Sequence, residues 1–249
     1  MITRFTADRV AHHQRPILYW DAWNEPDGPI TKYFNGTEQQ WLKDVLVPEA
    51  LAVRAVARRS RLRLRFGACA CWMPDAGWMT PMFAFARAHR IHLNFVTWHY
   101  YGNYPVIGPD GPEVGYTPPI PALAHQNPNT SPELMGQQVD TIRALARSGL
   151  GYVPELTNNE WNLSAGGLDK RQDTNNGAAF NAATLISFQQ HGLTSAVFET
   201  AIDPFPSLNG EDLHGDLGLQ TRGGIRKPSW WAFRLFGDLQ PHLLTTRVA

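Results

Sequence analysis

Residues 16–26 read PILYWDAWNEP, an apolar run that breaks into an Asn, a Glu and a Pro with two tryptophans and an aspartate just before them. Pro and the Gly at 28 suffice to stop a strand, and charge solvates a turn. Neither explains the indoles. Two tryptophans within four residues of a carboxylate suit the grip of a sugar ring beside an acid better than they suit a solvent-facing loop. Four further apolar runs also end in polar or aromatic residues, namely LRLRFGACACW (62–72), IHLNFVTWHYYG (91–102), GYVPELTNNEWN (151–162) and TSAVFETAID (194–203). Between them lie segments with apolar residues at helical spacing: 38–59, 79–90, 131–149 and 175–192, with a last helix predicted over KPSWWAFRLFGDL (227–239). The 38–59 segment closes in basic residues and the next two after residue 130 close in Gly, as helix C-termini prefer.

Strict alternation of strands and helices predicts an α/β fold with a parallel sheet and right-handed crossovers. No Gly-rich phosphate loop follows the first strand, and polar and aromatic residues collect after every strand instead of at one switch point. That distribution predicts a (β/α)8 barrel of the TIM type, whose site is built from the C-terminal ends of several strands. A Pro- and Gly-rich stretch, 103–130, has the length of a lid or binding loop.

Composition narrows the partners. Lys plus Arg and Asp plus Glu stand at 22 each, so no net field draws nucleic acid or an anionic membrane. No apolar run reaches the ~18 residues of a membrane span, and MITRFTADRV lacks the apolar core of a signal peptide. Neither nucleic acid nor membrane is expected as a partner, and localisation is left open. The excess is aromatic, with nine Trp, seven Tyr and twelve Phe, which favours an uncharged, ring-shaped ligand such as a carbohydrate. Cys69 and Cys71 would face one way on a regular strand, where an i, i+2 bridge is strained, so reduced core thiols are expected. With no second Cys pair and scattered histidines, no metal and no cofactor are predicted.

Three strand ends bear carboxylates: Glu25, Glu160 and Glu199. Glycosidic hydrolysis needs two, one to protonate the leaving oxygen and one to act as nucleophile or base. Asn24 precedes Glu25 and could hold a sugar hydroxyl, while Trp161 flanks Glu160 and His99 closes the third run. Taken alone, Asn-Glu-Pro also describes a solvated turn, and a histidine in an apolar run is usually a satisfied core residue. Glu155 competes with Glu160, but it falls earlier in the run, where an acid would be buried at a cost or point away. Trp230 and Trp231 are read as helix packing. No G-x-S-x-G elbow is present for acyl transfer.

With these residues assembled, the chain resembles the clan A retaining glycosidases, and within them glycoside hydrolase family 39, which includes β-xylosidases and α-iduronidases. WNEPD is similar to the acid/base segment after the fourth barrel strand, LRFGACACW to the fifth strand, FVTWHYYGN to the sixth and NEWN to the nucleophile segment of the seventh. DTNNGAAFNAA and GDLGLQTRGGIRKPSWWAFRLFGDL are similar to the stretch through the last strand and helix. The resemblance implies Glu25 as general acid/base and Glu160 as nucleophile of a double displacement. It also implies Asn24 on the sugar 2-hydroxyl, Tyr101 on the nucleophile, and His99, Trp23 and Trp161 around the sugar. Where the family has a platform Trp in a W-T-x-x-D pattern, this chain has ETAID, so Glu199 is expected at the pocket wall.

If residues 16–26 are the fourth strand, residues 1–15 are too few for three β-α units, and LQPHLLTTRVA stops where the family continues into a β-sandwich. The expectation is one catalytic-type barrel domain over 1–249 with about five β-α units, the first three missing. Its open edges would call for a homo-oligomer or a complementing N-terminal segment. The alternative is a catalytically silent barrel remnant that binds carbohydrate or a partner.

Overall fold

The computed structural model describes residues 2–28, 33–102, 107–108, 111–112, 131–166 and 168–239. Five strands form a parallel sheet: β1 (Tyr19–Asp21), β2 (Arg65–Cys71), β3 (Phe95–His99), β6 (Glu155–Trp161) and β7 (Ser195–Phe198), in that spatial order. A short hairpin, β4 (Ile107–Gly108) with β5 (Gly111–Pro112), lies between β3 and β6 in sequence. The rest of the 103–130 stretch, with its expected lid, lies outside the described residues, as does the end of LQPHLLTTRVA.

Helices α3 (Val47–Ser60), α4 (Ala76–Ala88), α5 (Pro132–Leu150), α6 (Asn175–Gln190) and α7 (Pro228–Gly237) separate or follow the strands, and α4 to α7 pack in sequence order. Sequential strands side by side with sequential helices over them are a run of right-handed β-α units curled into a partial (β/α) barrel. One element escapes the sequence pattern, α1 (Ile2–Ala11). The helix predicted over 38–59 is present as α2 (Glu38–Trp41) joined to α3 through a wide π turn at Leu42–Leu46.

Helix α5 shows why these segments fold as they do. Ser131 caps it, its hydroxyl accepting from Leu134 N at 3.2 Å, and Pro132 opens the first turn. Met135, Val139, Ile142, Ala146 and Leu150 recur at helical spacing and are all buried. Gly151, at φ 84°, ends it in the left-handed conformation that a Cβ would disfavour. The sheet's outer face supplies the other half of the core with Phe66, Ala68, Val96, Trp98 and Leu156, all buried. Each large apolar side chain among them contributes about 1.5–3 kcal/mol on burial. On the inner face Phe95 lies across Gly67, where a Cβ would meet the ring at 2.3 Å.

Cys69 and Cys71 depart from expectation: they are joined in a disulfide with Cα atoms 4.9 Å apart. The reduced-thiol reading assumes regular alternation. Between Ala68 and Cys71 the register to β3 slips by one residue and Ala70 takes φ 44°, so the two Cα atoms come closer than i, i+2 on a straight strand.

Candidate active site

The site lies at the C-terminal ends of the strands. After β1 the chain crosses onto β2: Ala22 N donates to Gly67 O at 3.0 Å and Glu25 N to Ala70 O at 2.9 Å. Trp23 and Glu25 sit at φ 68° and 44°, the left-handed region that costs a non-glycine residue about 1–2 kcal/mol. Asp27 pins the far side of the turn, Oδ1 accepting from Trp72 N at 2.9 Å. The result is a Glu25 only 9% exposed, which excludes the solvated-turn reading.

His99 closes β3 and is 1% exposed. Its Nδ1 lies 2.8 Å from Glu25 Oε1 and 3.5 Å from Glu160 Oε2. Tyr101 Oη donates to Glu160 Oε1 at 2.5 Å. One oxygen of each glutamate and a ring nitrogen of His99 all fall within 4.8 Å of one another. Three donor atoms this close could also ligate a cation. The His99 and Tyr101 hydrogen bonds tie the two acids into one cluster.

Glu160 faces this cluster because of a bulge. Pairing runs Phe95↔Glu155 to Trp98↔Asn158 and then jumps to His99↔Glu160, leaving Asn159 unmatched. The β6–β7 pairing skips at the same place, from Asn158↔Ala196 to Trp161↔Phe198. Without the extra residue Glu160 would share the outward face of Leu156 and Asn158; with it, parity reverses and Glu160 turns inward. Trp161 turns outward by the same step. Its indole is fully buried, 5.3 Å from Phe188, 5.2 Å from Phe198 and 5.9 Å from Phe233. The expectation of Trp161 as a sugar-binding residue is therefore corrected: it is core.

Glu199 follows β7, its N donating to Trp161 O at 3.0 Å. Burial, and then the charge of Glu160, push its carboxyl above the usual range, with His99 pulling it back. Trp23 is 43% exposed at the rim, its Nε1 donating to Tyr33 O at 3.2 Å, and Asn24 is exposed next to it. Glu155 opens β6 at the opposite end, ion-paired to Arg65 at 2.6 Å and accepting from Tyr19 Oη at 3.2 Å.

Several supporting residues carry no signal in sequence. Thr97 Oγ1 donates to Asp21 Oδ2 at 2.5 Å and accepts from Ala70 N at 2.8 Å, tying β1, β2 and β3 just below the acids. Burial lifts Asp21 to about 6, with Thr97 and His99 opposing. Burial lifts Asp27 to about 8, against the Trp72 amide. Asn162 Nδ2 donates to the carbonyls of Glu199 at 2.6 Å and Leu217 at 2.9 Å, fixing the segment beyond β7. Each depends on contacts between residues distant in sequence. Trp231, read as helix packing, is 52% exposed. A cavity of about 460 Å³ between Val53, Phe66 and Ile91 is lined by none of the site carboxylates.

Parallel β-α units with two acids joined through a histidine at the strand ends define the class as a (β/α) barrel, present in part, with a carboxylate pair at its C-terminal pole. No family model matches the chain. A β-xylosidase of Geobacillus stearothermophilus is 26% identical over 90% of this chain and 42% of its own length. Among solved structures, a monomeric β-xylosidase from Caulobacter crescentus superposes with TM-score 0.72 at 21% identity, covering 96% of this chain and 46% of that one. A GH39 enzyme from Xanthomonas axonopodis pv. citri gives TM-score 0.71 at 22% identity, covering 96% and 44%. The fold is thus a partial (β/α) barrel similar to those of these relatives, and the chain spans less than half of their length.

Proposed function

We propose that this chain carries the catalytic pair of a retaining glycosidase acting on a xyloside-like substrate, within one catalytic-type domain. The observation that carries the proposal is the placement of Glu25 and Glu160, with carboxylate oxygens within 4.8 Å and His99 between them. Retaining enzymes hold their carboxyl groups about 5–5.5 Å apart, whereas inverting enzymes leave about 6.5–9.5 Å for a water. The likeness to β-xylosidases supports the substrate class.

In the first step Glu160 attacks the anomeric carbon while Glu25 gives its proton to the departing oxygen. A covalent glycosyl-enzyme and a free alcohol result. In the second step Glu25, now ionised, takes a proton from water as that water attacks the anomeric carbon, and Glu160 leaves as carboxylate. Tyr101 holds Glu160 in line, and His99 keeps the two acids at their spacing. Asn24 is assigned to the sugar 2-hydroxyl, Trp23 to the wall, and Glu199 to a hydroxyl where the family has a ring platform.

The test is the stereochemistry of the first product. NMR during hydrolysis of an aryl β-xyloside should show the β-anomer first, followed by mutarotation. Initial α-anomer would exclude the two-step route. The second reading, a silent carbohydrate-binding barrel remnant, is favoured by one feature: among the described residues β1 and β7 each pair on one side only. Binding of xylo-oligosaccharides without turnover would select it.

A further inference from the structure

Away from the acids, α6 and α7 enclose a shallow recess of about 400 Å³ whose lining includes Asn175, Ala178, Arg226, Pro228, Trp231 and Leu235. Asn175 and Pro228 open their helices. In a β-α unit the helix begins near the C-terminal end of the preceding strand, so the recess lies toward the pole that carries the acids, on the outside of the helix layer.

The side chains here are arranged in a specific way. The Arg226 guanidinium stacks over the Trp230 ring at 4.1 Å and reaches the Trp231 ring at 5.9 Å. The two indoles stand edge to face, centroids 4.7 Å apart at 78°. Trp230 is covered by this clamp, and Trp231 is held by it while remaining half exposed. An ordered indole left in water is an unused apolar surface. Arg226 forms no ion pair among the described residues, so its N–H groups are available at the recess. The lining holds an amide and a guanidinium but no carboxylate, and its remaining members, Ala178, Ala232, Pro228 and Leu235, are apolar.

A fixed aromatic face with planar donors at its edge matches one ligand chemistry well. A pyranose presents an apolar C–H face for stacking and equatorial hydroxyls that accept at its rim. We propose that Trp231, Arg226 and Asn175 form a second carbohydrate-binding site, for a neutral β-linked glycan, separate from the catalytic cleft. The glycosidase reading contributes only the choice of glycan. The site would hold a polymeric chain on the protein surface while the cleft engages an end.

The test is affinity electrophoresis of the full chain in gels containing soluble arabinoxylan or laminarin. Wild type and Glu160→Gln should both be retarded. Trp231→Ala and Arg226→Ala should each lose roughly tenfold in affinity, about 1.4 kcal/mol, with Trp231→Phe retaining most of it. Equal retardation of wild type and Trp231→Ala would overturn the proposal, as would no retardation of wild type in either glycan. A change in oligomeric state on Trp231→Ala, without loss of retardation, would overturn it in favour of a protein-docking face. Turnover of a small aryl xyloside is independent of all these outcomes, so the catalytic assignment stands or falls separately.

Discussion

At the scale of single residues, Glu155 and Glu160 belong to one strand and have opposite surroundings. Glu155 is satisfied by Arg65 and Tyr19 at the far end of the sheet, whereas Glu160 meets Tyr101 and His99 at the site. Glu160→Ala should therefore reduce turnover by at least about 10³-fold, with partial rescue by azide, while Glu155→Ala changes it by less than about tenfold. Kinetics of the two variants on an aryl xyloside decide between them. Glu199→Trp should alter preference between glycosides more than it alters the chemical step; equal losses on every substrate would make Glu199 catalytic. Asp27 gives a prediction in pH. Its folded carboxyl is raised by burial to about 8 from 3.8, so the native state binds the extra proton between those values. Stability from this group is full below about pH 4 and is lost as pH rises toward 8. Asp27→Asn keeps an acceptor for the Trp72 amide and should flatten that decline. Relative to wild type it should gain at least about 4 °C in Tm between pH 5 and pH 8, which melting curves would show.

At the scale of elements, the Asn159 bulge decides which side chains the site receives. Alternation along GYVPELTNNEWN is visible in the letters, and so is the approach of Glu160 to a strand end. The inserted residue is not visible, because a bulge is defined by pairing to β3 and β7, which lie far away in sequence. That is why sequence places Glu25, Glu160, His99 and Tyr101 together yet puts Trp161 on the wrong face. The disulfide escapes a sequence reading for a related reason, a register slip in β2. Helix α1 likewise lies outside the segments that the sequence reading assigns. Deleting Asn159 should restore alternation, turn Glu160 outward and abolish turnover even if the chain still folds. Trp161→Ala should instead cost about 3–5 kcal/mol of stability through the cavity left among Phe188, Phe198 and Phe233, with substrate preference unchanged. Denaturant titration together with KM ratios would separate the two effects.

At the scale of the whole molecule, the parallel β-α order is legible because helical and strand periodicities alternate cleanly along the chain. The distance between the acids is not. Three strand spacings separate β1 from β6, about 14 Å in a flat sheet at ~4.8 Å each, yet the acids meet within 4.8 Å. Barrel curvature and the crossing of the 22–28 segment onto β2 close that gap without any β1–β7 pairing among the described residues. The site's inner shell is thus preassembled, whereas β1 and β7 keep edges that a closed barrel would cover. The 249-residue chain expressed by itself should be weakly active and prone to associate, and adding a segment with three β-α units from a related enzyme should raise turnover at least about tenfold. Equal activity with and without that segment would show that these five strands suffice. The central claim is that Glu160 and Glu25 form a retaining pair. The most direct measurement is peptide mapping by mass spectrometry after treating the complemented chain with a 2-fluoro-xyloside inactivator. One covalent sugar on Glu160, absent from Glu160→Gln, is the predicted result. A sugar on Glu155 or Glu199, or no adduct in a preparation that still hydrolyses aryl xylosides, would contradict the account.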